Sequence, residues 1–304
     1  MANRWTANRW THVDGLRRAV GWPAAASILT RRLLGLRRPV RCSVKGCRIA
    51  VRPLDGDLFV ASRIFGWHDY DPGDAVTSAL NQLARRWRFG GRIPVIIDAG
   101  ANVGYSALDF AERFPDAVVI AVEPDPDAFA KLVANCIGEP RIQPVHAAVW
   151  SHEAGVSLLA GSERGSWAHR VAGFGATPSR TLAGLLALVP DGRSLIIKLD
   201  IEGAEREVCA ASGEELRRAP CLMVEPHDVL SPGAACLSAL YRALAGRQVD
   251  TLLRGAHLII YASSLVQLQP MTTAGRWFVG GPGTEGPASC THRNLGWRDR
   301  RIGK

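Results

Sequence analysis

Runs of branched apolar residues, each ending on an acid or leading to a glycine, recur between residues 95 and 263 and alternate with stretches of helical periodicity. Strand 95–98 leads to a helix over 104–114, 117–123 to one over 127–136, 195–200 to one over 204–210, and 221–225 to one over 233–245; 142–149 reads as a further strand. Continuous apolar strands of this length are buried on both faces, and their alternation with helices calls for an α/β fold: a mostly parallel sheet with helices on both faces. Two last strands, 248–253 and 257–263, joined by Arg254-Gly255-Ala256, read as a closing antiparallel hairpin. Upstream, 49–60 alternates as a strand or hairpin turning at Asp55-Gly56, and Asp74 caps a helix over 75–86. The segment between them, Phe65 to Asp74, is dense in aromatic and acidic groups. It reads either as a turn with an N-cap or as a cap over a ligand pocket.

Charge divides the chain more sharply than hydropathy does. The 304 residues are 47% hydrophobic and carry a net charge of +9, yet residues 1–48 hold eleven Lys and Arg against the single acid Asp14, so the rest is close to neutral. This organisation implies a basic N-terminal extension over 1–48, partly disordered, a folded body over 49–279, and a mobile tail rich in Gly, Pro and Arg over 280–304. Ala-Asn-Arg-Trp-Thr is repeated in tandem at 2–6 and 7–11, and 16–38 offers an amphipathic helix suited to an interface, with Pro23 set against a continuous one. Arginine-rich leaders suit nucleic acid, an anionic membrane surface or an acidic carrier. No segment reaches the roughly 20 apolar residues of a membrane span, and the stretch after Arg17-Arg18 is too weakly apolar for a secretion signal, so a cytoplasmic location is expected.

Seven cysteines scattered over this length do not form a disulfide scaffold. Cys42 and Cys47 flank a turn at Lys45-Gly46 without the second pair that a zinc site needs, and no metal site is assigned.

Two segments carry the chemistry. In Asp98-Ala-Gly100-Ala-Asn102-Val-Gly104 the glycines allow a tight strand-to-helix turn that brings backbone close to a ligand, with Asp98 and Asn102 supplying polar groups. The spacing is neither that of a phosphate-binding loop with its lysine nor that of a dinucleotide loop. Asp98 puts negative charge where a pyrophosphate would want donors, which favours a cationic ligand. Glu123 ends the next strand, where a carboxylate accepts bonds from ribose hydroxyls. The second segment is Lys198-Leu-Asp200-Ile-Glu202-Gly-Ala-Glu205.

Together with Glu123-Pro124, these segments resemble the FkbM-type family of S-adenosylmethionine-dependent methyltransferases, over residues 60 to 265. The resemblance implies a class I methyltransferase (Rossmann-like) fold, S-adenosylmethionine as cofactor, and O-methylation of a hydroxyl on a small molecule or sugar. It also implies that Asp98, Gly100, Asn102 and Gly104 cradle the donor, that Glu123 holds the ribose hydroxyls and Ala147-Ala148 faces the adenine, and that Asp200 and Glu202 lie near the methyl group. In-line transfer to a hydroxyl benefits from a base at the sheet's carboxyl edge, for which Asp200, Glu202 and His227 are the candidates, His227 or Asp200 foremost. Glu205 reads as structural and Lys198 as a strand lysine paired with an acid; Asp200 and Glu202 also have the chemistry to hold a divalent ion. Trp167, His169 and Arg170, in the long connection 161–180, are candidates for acceptor contacts. The alternatives are a methyltransferase acting on nucleic acid or protein, and a non-catalytic module that binds S-adenosylmethionine.

Overall fold

Val95 and Ile97 pack into one apolar layer and Ile96 into the other, so the central strand alternates between two cores and has no solvent face. That strand organises everything described in the computed structural model, which covers residues 4–159, 170–228, 233 and 235–267. In chain order the strands are β1 (Val40–Val44), β2 (Cys47–Val51), β3 (Ile93–Ala99), β4 (Val118–Glu123), β5 (Ile142–His146), β6 (Ala148–Val149), β7 (Val156–Leu159), β8 (Arg170–Thr177), β9 (Ser179–Arg180), β10 (Gly192–Leu199), β11 (Cys221–Val224), β12 (Val249–Arg254) and β13 (His257–Ala262). The helices are α1 (Arg4–Leu33), α2 (Asp57–Ala61), α3 (Asp74–Phe89), α4 (Tyr105–Arg113), α5 (Pro126–Cys136), α6 (Leu182–Leu186), α7 (Glu205–Ala211), α8 (Gly213–Arg218), α9 (Ser238–Ala243) and α10 (Ser264–Gln267).

Seven strands form the main sheet in the order β12-β13-β11-β10-β3-β4-β5. β11, β10, β3, β4 and β5 run parallel, while β13 is antiparallel to both β11 and β12. This is the expected class I architecture, a mostly parallel sheet closed by a C-terminal antiparallel hairpin. The chain leaves β3 outward through β4 and β5 and returns on its other side as β10. That reversal opens a crevice at the carboxyl ends of β3 and β10, where open α/β sheets bind ligands.

Several elements differ from the sequence reading. The hairpin upstream turns at Lys45-Gly46, between β1 and β2, and not at Asp55-Gly56; residues 57–66 are helical, α2 running on into one wide turn at Ser62–Gly66. Lys45 (φ 50°) and Gly46 (φ 81°) supply the left-handed pair that a tight hairpin turn demands. Part of 161–180 is strand, with β8 pairing antiparallel to β7. Among the described residues of the helix expected over 233–245, the helical ones are those of α9. Residues 280–304, read as a tail, and Trp167 and His169, read as acceptor contacts, lie outside the described residues, as does the side chain of Arg170.

Residues 4–33 are helical but broken at Gly21 (φ 76°, ψ 164°), two positions before Pro23. Leu16, Ala25 and Ile28 are buried in the same core as Ile96 and Val119. Gly15 and Gly66 meet backbone to backbone: a Cβ on Gly66 would strike the Gly15 carbonyl, so neither position has room for a side chain.

Candidate active site

A cavity of ≈ 380 Å³ lies at the carboxyl edge of β3, β4, β10 and β11. Its first wall is the β3–α4 turn, where Gly100, Ala101 and Asn102 face it. Gly100 has φ 79°, and a Cβ there would collide with the carbonyl oxygen of Asp200. The glycine is therefore required by the crossing of two protein turns. Gly104 (φ 88°) does not line the cavity; a Cβ on it would sit 2.8 Å from Cys136 Sγ, so it serves the packing of α4 on α5. Of the two glycines expected to make room for a ligand, Gly100 faces the cavity and Gly104 does not.

Asp98 is fully buried and is not in the cavity wall. Its Oδ1 pairs with Lys198 Nζ at 2.9 Å, and its Oδ2 accepts from Ser106 Oγ at 2.6 Å. Lys198 also donates to the Gly100 carbonyl at 2.7 Å, so the buried ion pair pins the β3–α4 turn to β10. Burial opposes the ammonium, but Asp98 and Asp200 more than offset it and hold Lys198 above the ordinary lysine range.

Glu123 does face the cavity. Its Oε2 accepts from the Asn102 amide at 2.8 Å and its Oε1 from the Asp125 amide at 2.9 Å, leaving a lone pair on each oxygen to point outward. Burial pushes its carboxyl up to about 7, against the pull of those two amides. Asn102 sits at φ 49°, a conformation that asparagine tolerates better than most residues. Ala148 and Val149 close this end; the neighbouring Ala147 is buried behind them.

The second wall is the β10–α7 turn and the end of β11. Asp200, Glu202 and His227 all line the cavity, so the three candidate bases are brought together. His227 Nδ1 bonds Glu205 Oε1 at 2.7 Å, while Nε2 lies 3.7 Å from Glu202 and 3.9 Å from Asp200. Burial opposes a charge on His227, but Glu205 foremost, then Asp200 and Glu202, raise it to about 9. That shift favours the protonated imidazole at neutral pH. Glu202, by contrast, is pushed up to about 7 by burial, with His227 pulling the other way. Glu205 is fully buried and accepts from the Ile201 amide as well, which makes it the positioning residue for both His227 and the turn.

The front of the cavity comes from residues that sequence reasoning did not single out. Tyr70 is buried and donates to Asp200 Oδ2 at 2.9 Å. Arg63 bridges Asp69 at 2.7 Å and Glu225 at 3.3 Å, and His257 Nε2 lies 3.1 Å from the same Glu225 oxygen. Of these, Asp69 and Tyr70 belong to the aromatic and acidic segment for which a capping role was one of two readings. Arg63 falls between that segment and the strand expected before it, and nothing in the sequence marked it. Asp200, Glu202 and His227, and likewise Asp200, Glu225 and His257, have the atom types and spacing for a divalent cation, all within 4.8 Å of one another. In the second group Arg63 and His257 both contact Glu225 Oε2.

Among the described residues, every side-chain cation in the wall is matched by an acid: Arg63 by Asp69 and Glu225, Lys198 by Asp98, His227 by Glu205. Glu123, Asp200 and Glu202 remain to face a ligand, and the cavity is net acidic.

Comparison with known proteins agrees with this arrangement. Residues 98–243 match the model of the methyltransferase FkbM domain. The hexuronic acid methyltransferase AglP of Haloferax volcanii is 28% identical over 142 residues, which are 45% of this chain and 58% of that protein, so the chain spans little more than half of its relative. Solved structures similar to it include the precorrin-6y C5,15-methyltransferase of Geobacter metallireducens (14% identity, TM-score 0.33, 62% of this chain and 87% of that one). Another is the fibrillarin of Aeropyrum pernix with S-adenosyl-L-methionine (14%, TM-score 0.35, 57% and 66%). The β3 and β10 segments and the family match converge on one stretch: through residues 98–243, a little under half of its length, the chain is similar to the FkbM domain of methyltransferases.

Proposed function

We propose that this protein transfers the methyl group of S-adenosylmethionine to a hydroxyl of a sugar or other small molecule, with a uronic acid glycan as the first acceptor class to test. The observation that carries the reading is the charge balance of the cavity. Among the described residues each of its cations is paired with a protein carboxylate, so no unpaired cation is left for a pyrophosphate, while Glu123, Asp200 and Glu202 favour a ligand bearing positive charge. The name of the Haloferax relative supports the acceptor class.

In this reading Gly100 and Asn102 line the donor's amino-acid and ribose portions, Glu123 accepts from the ribose hydroxyls, and Ala148 and Val149, beside Ala147, border the adenine. Asp98 acts one step removed, by fixing Lys198 and through it the turn. The donor supplies an electrophilic methyl on a sulfonium. The protein's own task is to hold the acceptor oxygen in line with it and to receive the hydroxyl proton. Glu202, titrating at about 7, is poised for that proton at neutral pH, and Asp200, held by Tyr70, is the second candidate. Protonated His227 donates to the acceptor or to these carboxylates.

Calorimetry with S-adenosylhomocysteine tests the donor half, and transfer of labelled methyl to uronic acid oligosaccharides tests the acceptor half. Tighter binding of ATP or NAD than of S-adenosylhomocysteine would overturn the reading. Turnover retained in Glu202→Gln and lost in Asp200→Asn would move the base to Asp200.

A further inference from the structure

The second part of α1 and the chain that follows it present apolar side chains to solvent. Trp22 is 63% exposed, Leu33 87%, Leu34 66% and Leu36 48%. Trp22 and Leu33 are eleven residues apart, about three helical turns, so they share one face of the segment after Gly21, and Ala26 lies exposed near the same line. The adjoining side, through Ala25 and Ile28, is buried in the core, which fixes how this face is presented. Exposed arginines follow the leucine tip in the chain. Arg37 and Arg38 follow it directly, and Arg41 and Arg48 project from the outer face of the β1–β2 hairpin, where Ser43 pairs with Arg48. Among the described residues none of these four has a carboxylate partner. Farther back, Arg17 lies 5.7 Å from the Trp22 ring.

We infer that this face seats the protein on an anionic lipid bilayer. Leucines at a protruding tip and a tryptophan on the same helical face are groups that enter the headgroup and acyl boundary, while flanking arginines meet lipid phosphates. Nucleic acid would use the arginines but has nothing to gain from three exposed leucines, so the combination selects the membrane surface. No helix of the described residues is long and apolar enough to cross a bilayer, so the contact is peripheral. The inference is independent of the methyl-transfer reading.

The test is cosedimentation of the full chain with phosphatidylcholine vesicles, with and without 30 mol% phosphatidylglycerol as a probe level, about 0.15 M salt throughout. Binding should rise roughly tenfold or more with the anionic lipid. It should fall by a similar factor both in Leu33→Asp/Leu34→Asp and in Arg37→Glu/Arg38→Glu. The four positions are exposed, so the variants should keep the parent's circular dichroism and S-adenosylhomocysteine binding. Absence of vesicle binding, binding undiminished by the leucine pair, or polynucleotide binding that the leucine pair leaves intact overturns the inference. So does a dimer in the parent that Leu33→Asp/Leu34→Asp dissociates, which would make a second copy the occupant.

Discussion

If Glu123 holds the ribose hydroxyls as a carboxylate, the stronger acceptor of its two forms, then with burial pushing its carboxyl up to about 7 donor affinity should titrate in the neutral range. If only the ionised form binds, the apparent Kd is the limiting value multiplied by one plus the ratio of protonated to ionised Glu123. At pH 8 that factor is about 1.1, at pH 7 about 2 and at pH 6 about 11, the last worth about 1.4 kcal/mol. The direction follows from the sign of the shift: acid keeps Glu123 neutral and weakens binding, base strengthens it to a plateau. Calorimetry with S-adenosylhomocysteine between pH 6 and 8.5 measures this directly. Repeating it at pH 7 in buffers of different ionisation enthalpy should show release of about half a proton per ligand bound. Glu202 titrates in the same range within the same cavity, so the series belongs in Glu202→Gln as well as the parent, and the slope should persist there. Glu123→Gln should weaken binding by about 1.5–3 kcal/mol, the worth of bonds to a charged group, and flatten the profile. Affinity constant within twofold from pH 6 to 8 in the parent would refute the assignment of Glu123 to the ribose.

His227 sits high at about 9 because of Glu205, so its pairing stabilises the fold fully below pH 6.5 and is lost as pH rises toward 9; denaturant titrations should show a decline of up to about 3 kcal/mol across that window, absent in His227→Gln. Asp98→Ala leaves the Lys198 ammonium buried without its carboxylate, and a loss of about 3–5 kcal/mol in urea unfolding is expected, partly restored by Lys198→Met in the same chain. Gly100→Ala adds strain at a left-handed φ to a collision with Asp200, so a drop of more than about 2 kcal/mol should accompany loss of S-adenosylhomocysteine binding; a variant of parental melting temperature would show that the two turns can part. Tyr70→Phe removes one hydrogen bond to Asp200, for a stability cost of about 1 kcal/mol, and should shift the acid limb of the kcat profile without changing donor affinity.

What could be read from the chain and what could not separate along sequence distance. β3 and β10 announced themselves because burial on both faces leaves a continuous apolar run, and the polar residues that follow them arrive at one edge by topology alone. Asn102, Glu123, Asp200, Glu202 and His227 were therefore visible in the sequence. Their partners were not. Tyr70 meets Asp200 across 130 residues and Arg63 meets Glu225 across 162, and no local pattern encodes either pairing. Residues 49–60 misled because an alternating pattern over a few residues fits a strand, whereas from Asp57 onward packing against α1 selected a helix. The protonation of His227 likewise depends on Glu205, 22 residues away, whose hydrogen bond and charge raise the imidazole against the effect of its own burial.

The crossing at Gly100 has a consequence for how this protein tolerates change. The turn after β3 and the turn after β10 are stacked main chain on main chain at Gly100 and Asp200, with no room for a side chain at the crossing. A shift in either is transmitted to the other at once, so a substitution that moves the main chain at residues 200–203 must be matched by readjustment of the turn at 99–102.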